Sequence, residues 1–176
     1  IMPKHPALRL FATSLLSLAL QNAYAQCSFS PTAGDDSYIC DSGSAVSLTD
    51  LQGNNSLSLP SNSTGTITGP VSFGPGADQI TVNAGLIDGA VSQGSGIDDF
   101  IMTGGQIQSL AQGDGRDTFL MTGGTIVGAF EDGDVATMTG GRIGRVDMKL
   151  DNNIFNMSGG QIIGNLVTGF GLDTIT

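Results

Sequence analysis

Short runs of alternating apolar and polar residues recur along this chain from about residue 34 to its last residue. Within each run the apolar residues are two positions apart, which places them on one face of a β-strand. A first type of run reads Asp or Asn, then any residue, then two apolar residues separated by one other. Its members are Ile80 and Val82, Phe100 and Met102, Phe119 and Met121, Phe155 and Met157, and, more weakly, Ala136 and Met138.

A second type of run begins with Ile, has Gly two positions later and ends with an apolar residue after two more. It follows the first type after a Gly-Gly pair or a similar turn. Two copies, at Ile107 and Ile143, keep the first position but are shortened after it. The complete copies are Ile67-Gly69-Val71, Ile87-Gly89-Val91, Ile126-Gly128-Phe130 and Ile162-Gly164-Leu166.

The two runs together form an internal repeat. "MTGG" begins at Met102, Met121 and Met138, and "MSGG" begins at Met157, so the steps are 19, 17 and 19 residues. Towards the N-terminus, "GDDSYIC" (34–40) and "GNNSLSL" (53–59) align with "GADQITV" (76–82). A fixed period of this length is typical of proteins whose units stack in one dimension.

Two strands and two turns in about 19 residues predict one coil of a solenoid. We therefore predict an all-β fold, a right-handed parallel β-helix, in which the handedness rests on the general preference of parallel crossovers. About seven coils at a spacing of about 4.8 Å would form a rod about 34 Å long. A β-sandwich is the alternative; it explains the short strands but not the fixed period.

The N-terminal 25 residues have the pattern of a secretory signal peptide. Lys4 and Arg9 precede or flank an apolar core, and a small-x-small sequence ends at Ala25. The predicted cleavage lies between Ala25 and Gln26; an uncleaved N-terminal anchor is the alternative. The predicted organisation is a signal peptide (1–25), an N-terminal cap region (26–52) and solenoid repeats (53–176), which end inside a strand.

The net charge of the chain limits the classes of molecule that it could bind. Residues after 25 contain 4 basic and 16 acidic groups, a formal charge of −12, and the only histidine, His5, lies before them. Such a chain is unsuited to nucleic acid. It is suited to cations or to a basic partner. The absence of Trp and the 27 Gly also favour a repetitive β structure over a compact globule.

Two cysteines, Cys27 and Cys40, follow the signal peptide directly. An exported chain meets an oxidising compartment, and two cysteines allow one pairing. We predict a disulfide that closes a small loop at the mature N-terminus; two free thiols are the alternative.

Aspartates recur at one position of the repeat. "GPGADQI", "GSGIDDF", "GDGRDTF" and "GFGLDTI" share Gly-x-Gly-x-Asp, which partly resembles the calcium-binding nonapeptide of RTX proteins. Asp and Asn share this column, and both accept backbone N–H groups, so a structural role in the turn is predicted. A bound calcium ion is the alternative, with Asp78, Asp98, Asp117 and Asp173 as candidates. The column runs Asp36, Asn55, Asp78, Asp98, Asp117, Val135, Asn153 and Asp173.

Catalytic machinery is not predicted. Without a histidine after residue 25, no Ser-His or Cys-His pair can form. Acidic residues such as Asp98, Asp99, Asp114 and Asp117 lie in turns that recur with the repeat. A catalytic site is instead expected where the repeat is interrupted. The repeat does break at 131–151, which contains Arg142, Arg145 and Lys149; this segment is either a shortened coil or a local binding face.

The signal peptide, the early "PTAGDDSYIC" and the "GxGxDTFxMTGGxI" coils together resemble the N-terminal passenger of a Gram-negative autotransporter (type V secretion). The resemblance covers nearly all residues after 25. It implies a β-helical passenger on the cell surface or outside the cell, with a C-terminal outer-membrane β-barrel that this sequence lacks. The implied role is structural or adhesive, connected with virulence, with a host or neighbouring-cell ligand as partner, no enzyme activity and no cofactor except possible calcium. The alternatives are an RTX-like calcium protein and a β-helical polysaccharide lyase or hydrolase.

Overall fold

Parallel β-strands form the regular structure of residues 26–176, the part of the chain that the computed structural model describes. The predicted signal peptide, residues 1–25, lies outside this range, so its cleavage before Gln26 stays a prediction. The first three coils contain β1 (Ser37–Ile39), β2 (Ser44–Ala45) and β3 (Leu48–Asp50); β4 (Ser56–Leu59), β5 (Thr66–Ile67) and β6 (Val71–Phe73); and β7 (Pro75–Gly76), β8 (Gln79–Val82) and β9 (Leu86–Ser92).

The strands become longer towards the C-terminus because successive runs merge around the corners of the coil. Coil 4 contains β10 (Ser95–Gly96), β11 (Asp99–Met102) and β12 (Gln106–Ala111), and coil 5 contains β13 (Asp114–Gly115), β14 (Thr118–Met121) and β15 (Thr125–Glu131). Coil 6 is the single strand β16 (Val135–Asp147), coil 7 contains β17 (Ile154–Ile162) and β18 (Leu166–Val167), and β19 (Thr174–Ile175) begins an eighth coil.

The strands pair in parallel with equivalent strands of neighbouring coils, so the all-β solenoid of about seven coils is confirmed. The pairing confirms the alignment of the early copies, because Ser37 lies opposite Ser56 and Ser56 lies opposite Gln79. The first coil therefore begins inside the segment that was assigned to the N-terminal cap region. The right-handed sense of the coil stays a prediction.

Each coil has three faces rather than the two predicted strands. The second run bends where the register shifts, between Ile107 and Leu110 in coil 4 and between Ile126 and Ala129 in coil 5. The Gly in the run lies at this bend: a Cβ on Gly89 would meet the backbone of Gly69 at 2.2 Å. A residue without a side chain is therefore needed where the coils come closest.

The core is a set of stacked ladders that run along the axis. Most of the predicted inward residues are buried, including the Met ladder of Met102, Met121 and Met138, whereas Thr103 and Thr122 are exposed. The predicted inward residues of the last coil, Met157, Ile162 and Leu166, are only partly buried. Where coil 6 has only Ala136 next to Phe119, the ring of Phe130 fills the space, with ring centroids 4.2 Å apart. The other end of the core is less covered, since Phe170 and Leu172 beside β19 are more than 80% exposed.

The N-terminal end of the core is closed by the Cys27–Cys40 disulfide, which confirms the predicted pairing. Phe29 packs edge-on against Tyr38, and the Tyr38 hydroxyl donates to buried Asp50 at 2.7 Å. Gly65 of the next coil lies directly against both sulfurs, where a Cβ would be 2.6–2.7 Å from them.

Replacing Cys27 and Cys40 together by Ser is expected to lower the free energy of unfolding by about 3 kcal/mol, mainly because the unfolded chain regains the freedom of the open loop. Urea unfolding of the oxidised chain and of the double variant measures this difference. The reduced wild-type chain provides the control and should match the variant. An unchanged midpoint in both would contradict a stabilising role for the disulfide.

Candidate functional site

The aspartate column lies at the turn before the first face, and the structure places its members in one line along the axis. Asp78, Asp98 and Asp117 are in register with each other, as predicted. One member was assigned wrongly. Val135 lies opposite Thr118, so the coil 6 member is Asp134, one residue earlier. The 17-residue step from Met121 to Met138 also leads from Asp117 to Asp134, so the assignment of Val135 departs from the spacing of the repeat.

These carboxylates bind the backbone of the preceding coil. Oδ1 of Asp98 accepts the N–H of Asp78 at 2.8 Å, and Oδ1 of Asp117 accepts the N–H of Asp98 at 2.8 Å. The same contact occurs at Asn55, Asp78, Asp134 and Asp173, which accept from Asp36, Asn55, Asp117 and Asn153. The predicted structural role is present, but it joins successive coils instead of closing a turn within one coil.

The second oxygen of the buried aspartates lies in an unfavourable environment. Oδ2 of Asp78, Asp98 and Asp117 is buried and has no hydrogen-bond partner among the described residues. At the Asn positions this second atom is an N–H donor: the amides of Asn55 and Asn153 donate to the carbonyl three residues earlier. A carboxyl can make that contact only when it carries a proton.

Burial accordingly raises the pKa of Asp98 to about 7 and the pKa of Asp117 to about 6. The backbone N–H bonds lower these pKa values, and neighbouring carboxylates raise them again, Asp117 and Asp78 in the case of Asp98. Burial also raises the pKa of Asp78 and of Asp134. Ionising all of these stacked carboxylates costs free energy, because each faces another negative charge one coil away. None of Asp78, Asp98 and Asp117 forms an ion pair with a described Lys or Arg.

Calcium was the alternative role for Asp78, Asp98, Asp117 and Asp173. One oxygen of each already accepts a backbone N–H, and among residues 26–176 no three His, Cys, Asp or Glu side chains converge as metal ligands would. We expect the melting temperature to be the same in millimolar calcium and in chelator. A rise with calcium that is lost in an Asp98→Asn variant would instead establish the metal site.

The two glycines of the Gly-x-Gly-x-Asp turn have separate conformational roles. Gly113 has a φ of 94°, and Gly115 has a φ of 156°. A Cβ on Gly115 would lie 1.6 Å from the carbonyl oxygen of Gly96 in the coil below. The motif that resembles a calcium loop is therefore explained by the close contact between stacked turns.

Two glutamines form a buried ladder that the sequence did not reveal. Gln93 and Gln112 are fully buried, and the Gln112 amide donates to Oε1 of Gln93 at 3.2 Å. Both amides also donate to backbone carbonyls beside the aspartate column, at Asp99 and Thr118. Their position at the end of a strand, next to a Gly, was the only available signal.

Segment 131–151 contains both a shortened coil and a charge cluster. Arg145 pairs with Glu131 and Asp147, and Lys149 pairs with Glu131 at 3.2 Å and with Asp132 at 3.1 Å. The hydrogen bond to Asp132 raises the pKa of Lys149. Two of the three basic residues of the segment are thus already neutralised. Arg142 forms no ion pair with any described residue.

A notch lies on the outer corner of coil 6, and we name it the coil 6 notch. In coil 5, Val127 and Gly128 lie between Ile126 and the residue opposite Arg145. In coil 7, Ile163 and Gly164 lie between Ile162 and the residue level with Arg145. Coil 6 has only Gly144 there. Grooves of about 330 and 410 Å3 lie on either side of Gly144, towards Arg142 and Arg145 respectively.

The fold and these features define the class of protein: a parallel β-solenoid with polar ladders in its turns. No known protein family, no curated protein and no solved structure matches this chain. Within the described residues, no helix is long and apolar enough to span a membrane.

Proposed function

We propose that this chain is the stalk-forming part of a surface-displayed passenger of the autotransporter type, which makes contacts through its outer faces without performing chemistry. The observation that carries the proposal is the continuous core. Every described coil from Tyr38 to Phe155 contributes buried apolar residues to one cluster. A core with stacked aromatic, aliphatic and Met ladders makes a stiff rod, and a rod holds surface groups at a distance from its base.

The outer surface supports a contact role. Half of the acids outside the column are exposed and contribute negative charge to the surface of the rod: Asp35, Asp88, Asp99, Asp114 and Asp151. Each outer position recurs once per coil, so a weak contact at one coil can be repeated along the rod. Several weak contacts on one rigid body bind much more tightly than one alone.

Export is the second part of the proposal and rests on residues 1–25, with their positively charged start, apolar core and small residues before Gln26. The Cys27–Cys40 disulfide requires an oxidising compartment, which is consistent with export.

Antibodies raised against residues 26–176 test the location on intact cells of the source organism. We expect labelling without permeabilisation and loss of the label after brief protease treatment of whole cells. A cytoplasmic protein serves as the control and must stay unlabelled until the cells are opened. Labelling that requires permeabilisation would overturn surface display.

A further inference from the structure

We propose that the coil 6 notch binds a single acidic sugar residue, with its carboxylate on Arg142 and its ring between Val127 and Ile163. The proposal deepens the proposed function, because it names one contact site on the displayed rod. Binding in solution does not depend on where the chain is displayed, so the two proposals can fail separately.

The notch has the dimensions of a ring-sized slot. Val127 and Ile163 belong to coils 5 and 7, so their backbones are two coil spacings, about 10 Å, apart. Both side chains are nearly half exposed, at 46% and 49%, and Gly144 forms the floor between them. Coil 4 is shortened at the same corner, but there the exposed side chain of Gln108 occupies the position of the Gly. The coil 6 notch is therefore a local feature of the repeat.

The charge of the notch favours an anionic group such as a carboxylate. Arg142 lines the groove together with Val127, Gly144 and Ile163, and it forms no ion pair among the described residues. A guanidinium binds a carboxylate through two parallel N–H bonds, which fixes orientation as well as charge. Arg145 at the other end is already held by Glu131 and Asp147.

The same surroundings limit the ligand to one charge. Glu131 and Asp147 lie beside Arg145, and residues after 25 carry a formal charge of −12. A polyanion would place its further charges against these carboxylates. A single acidic sugar instead places one carboxylate on Arg142 and turns its C–H face to the aliphatic walls. Thr125 and Asn165 at the two ends of the notch offer polar groups to its hydroxyls.

A sugar fits this site better than a peptide. Peptides that bind β-proteins through their main chain need a free strand edge. On either side of Gly144, β16 is paired with β15 on one edge and with β17 and β18 on the other, and the Gly164 N–H donates to the Gly144 carbonyl, so the notch offers no free strand edge. What the notch presents is one charge, two apolar walls and a floor without a side chain.

Titration of the purified chain with glucuronic acid, followed by amide chemical shifts in NMR, tests the proposal. We expect saturable binding with millimolar affinity and shifts centred on Gly144. Arg142→Gln should weaken binding at least tenfold, and Val127→Ser should weaken it several-fold. Arg116→Gln, which removes an arginine outside the notch, should leave the affinity unchanged. Unchanged far-UV circular dichroism shows that each variant is folded.

Two probe ligands sharpen the test. Glucose has the ring without the carboxylate and should bind at least tenfold more weakly than glucuronic acid. N-acetylglutamate amide has the carboxylate without the ring and should also bind more weakly. Equal affinity for glucose would overturn the role of Arg142, and equal affinity for the glutamate derivative would overturn the assignment to a sugar. Shifts that avoid the notch, or no shifts at all, would overturn the site.

Discussion

Replacing Asp98 by Asn is expected to stabilise the solenoid at pH 8 by about 2 kcal/mol and to change its stability little at pH 4. Oδ1 of an Asn can still accept the N–H of Asp78, as Asn55 accepts the N–H of Asp36. Its amide N–H then replaces the oxygen that has no partner. At pH 8 this substitution removes a buried negative charge from between Asp78 and Asp117.

The direction of the pH effect follows from the raised pKa of about 7. Below about pH 4 the carboxyl is protonated in both the folded and the unfolded chain. Between pH 4 and pH 7 the unfolded chain releases this proton first, so the free energy of unfolding of the wild-type chain falls as pH rises. Asp117, with a pKa of about 6, adds to the same fall. The wild-type solenoid should thus be most stable in mild acid.

Urea unfolding at pH 4, 6 and 8 measures both effects. Asp88→Asn is the matched control, because Asp88 is exposed and lies outside the column. It should leave the pH dependence as it is in the wild type. If Asp98→Asn were destabilising to the same extent at all three pH values, the folded chain would require the ionised carboxylate. The raised pKa of Asp98 would then be contradicted.

Replacing Gly115 by Ala is expected to destabilise the solenoid by about 3 kcal/mol or more. The added Cβ would lie 1.6 Å from the carbonyl oxygen of Gly96, and that oxygen belongs to the backbone of a stacked turn that cannot move alone. The φ of 156° adds strain for any residue with a side chain. Thermal unfolding followed by circular dichroism measures the loss.

Gly34 provides the control for this substitution. A Cβ there would have only the Thr32 hydroxyl within reach, at 3.9 Å, so Gly34→Ala should leave the melting temperature unchanged within a few degrees. If Gly115→Ala melted like Gly34→Ala, the turns would be able to separate. The Gly-x-Gly motif would then need another explanation, such as a ligand.

The sequence predicted the features that repeat, because repetition makes a pattern visible. The inward pairs such as Phe119 and Met121 were found from their spacing, and the structure buries both. The repeat pattern does not show which groups contact each other between successive coils. The motif around an Asp is the same whether its carboxylate accepts an N–H from its own turn or from the preceding coil.

The site features depend on departures from the repeat, and these were the hardest to locate. Asp134 could have been found from the repeat, because it lies four residues before Met138, as Asp117 lies four residues before Met121; the assignment of Val135 departs from that spacing. The break at 131–151 was recognised, but its consequence was not. A missing residue beside Gly144 appears in the sequence as a simple shortening, and only the stacking of coils 5 and 7 on either side turns it into a notch.

The aspartate and asparagine ladder has a consequence for how such a rod changes length over evolutionary time. Each rung joins a backbone N–H to the same column one coil later, so any two regular coils present matching surfaces to each other. Removing or duplicating one unit of about 19 residues would bring Asp78 against Asp117, or Asp98 against a copy of itself, with the contact preserved. Reach can thus grow or shrink in steps of about 4.8 Å through unequal recombination. An exchange that involved the shortened coil 6 would change the number of residues in the coil at that level, and with it the coil 6 notch.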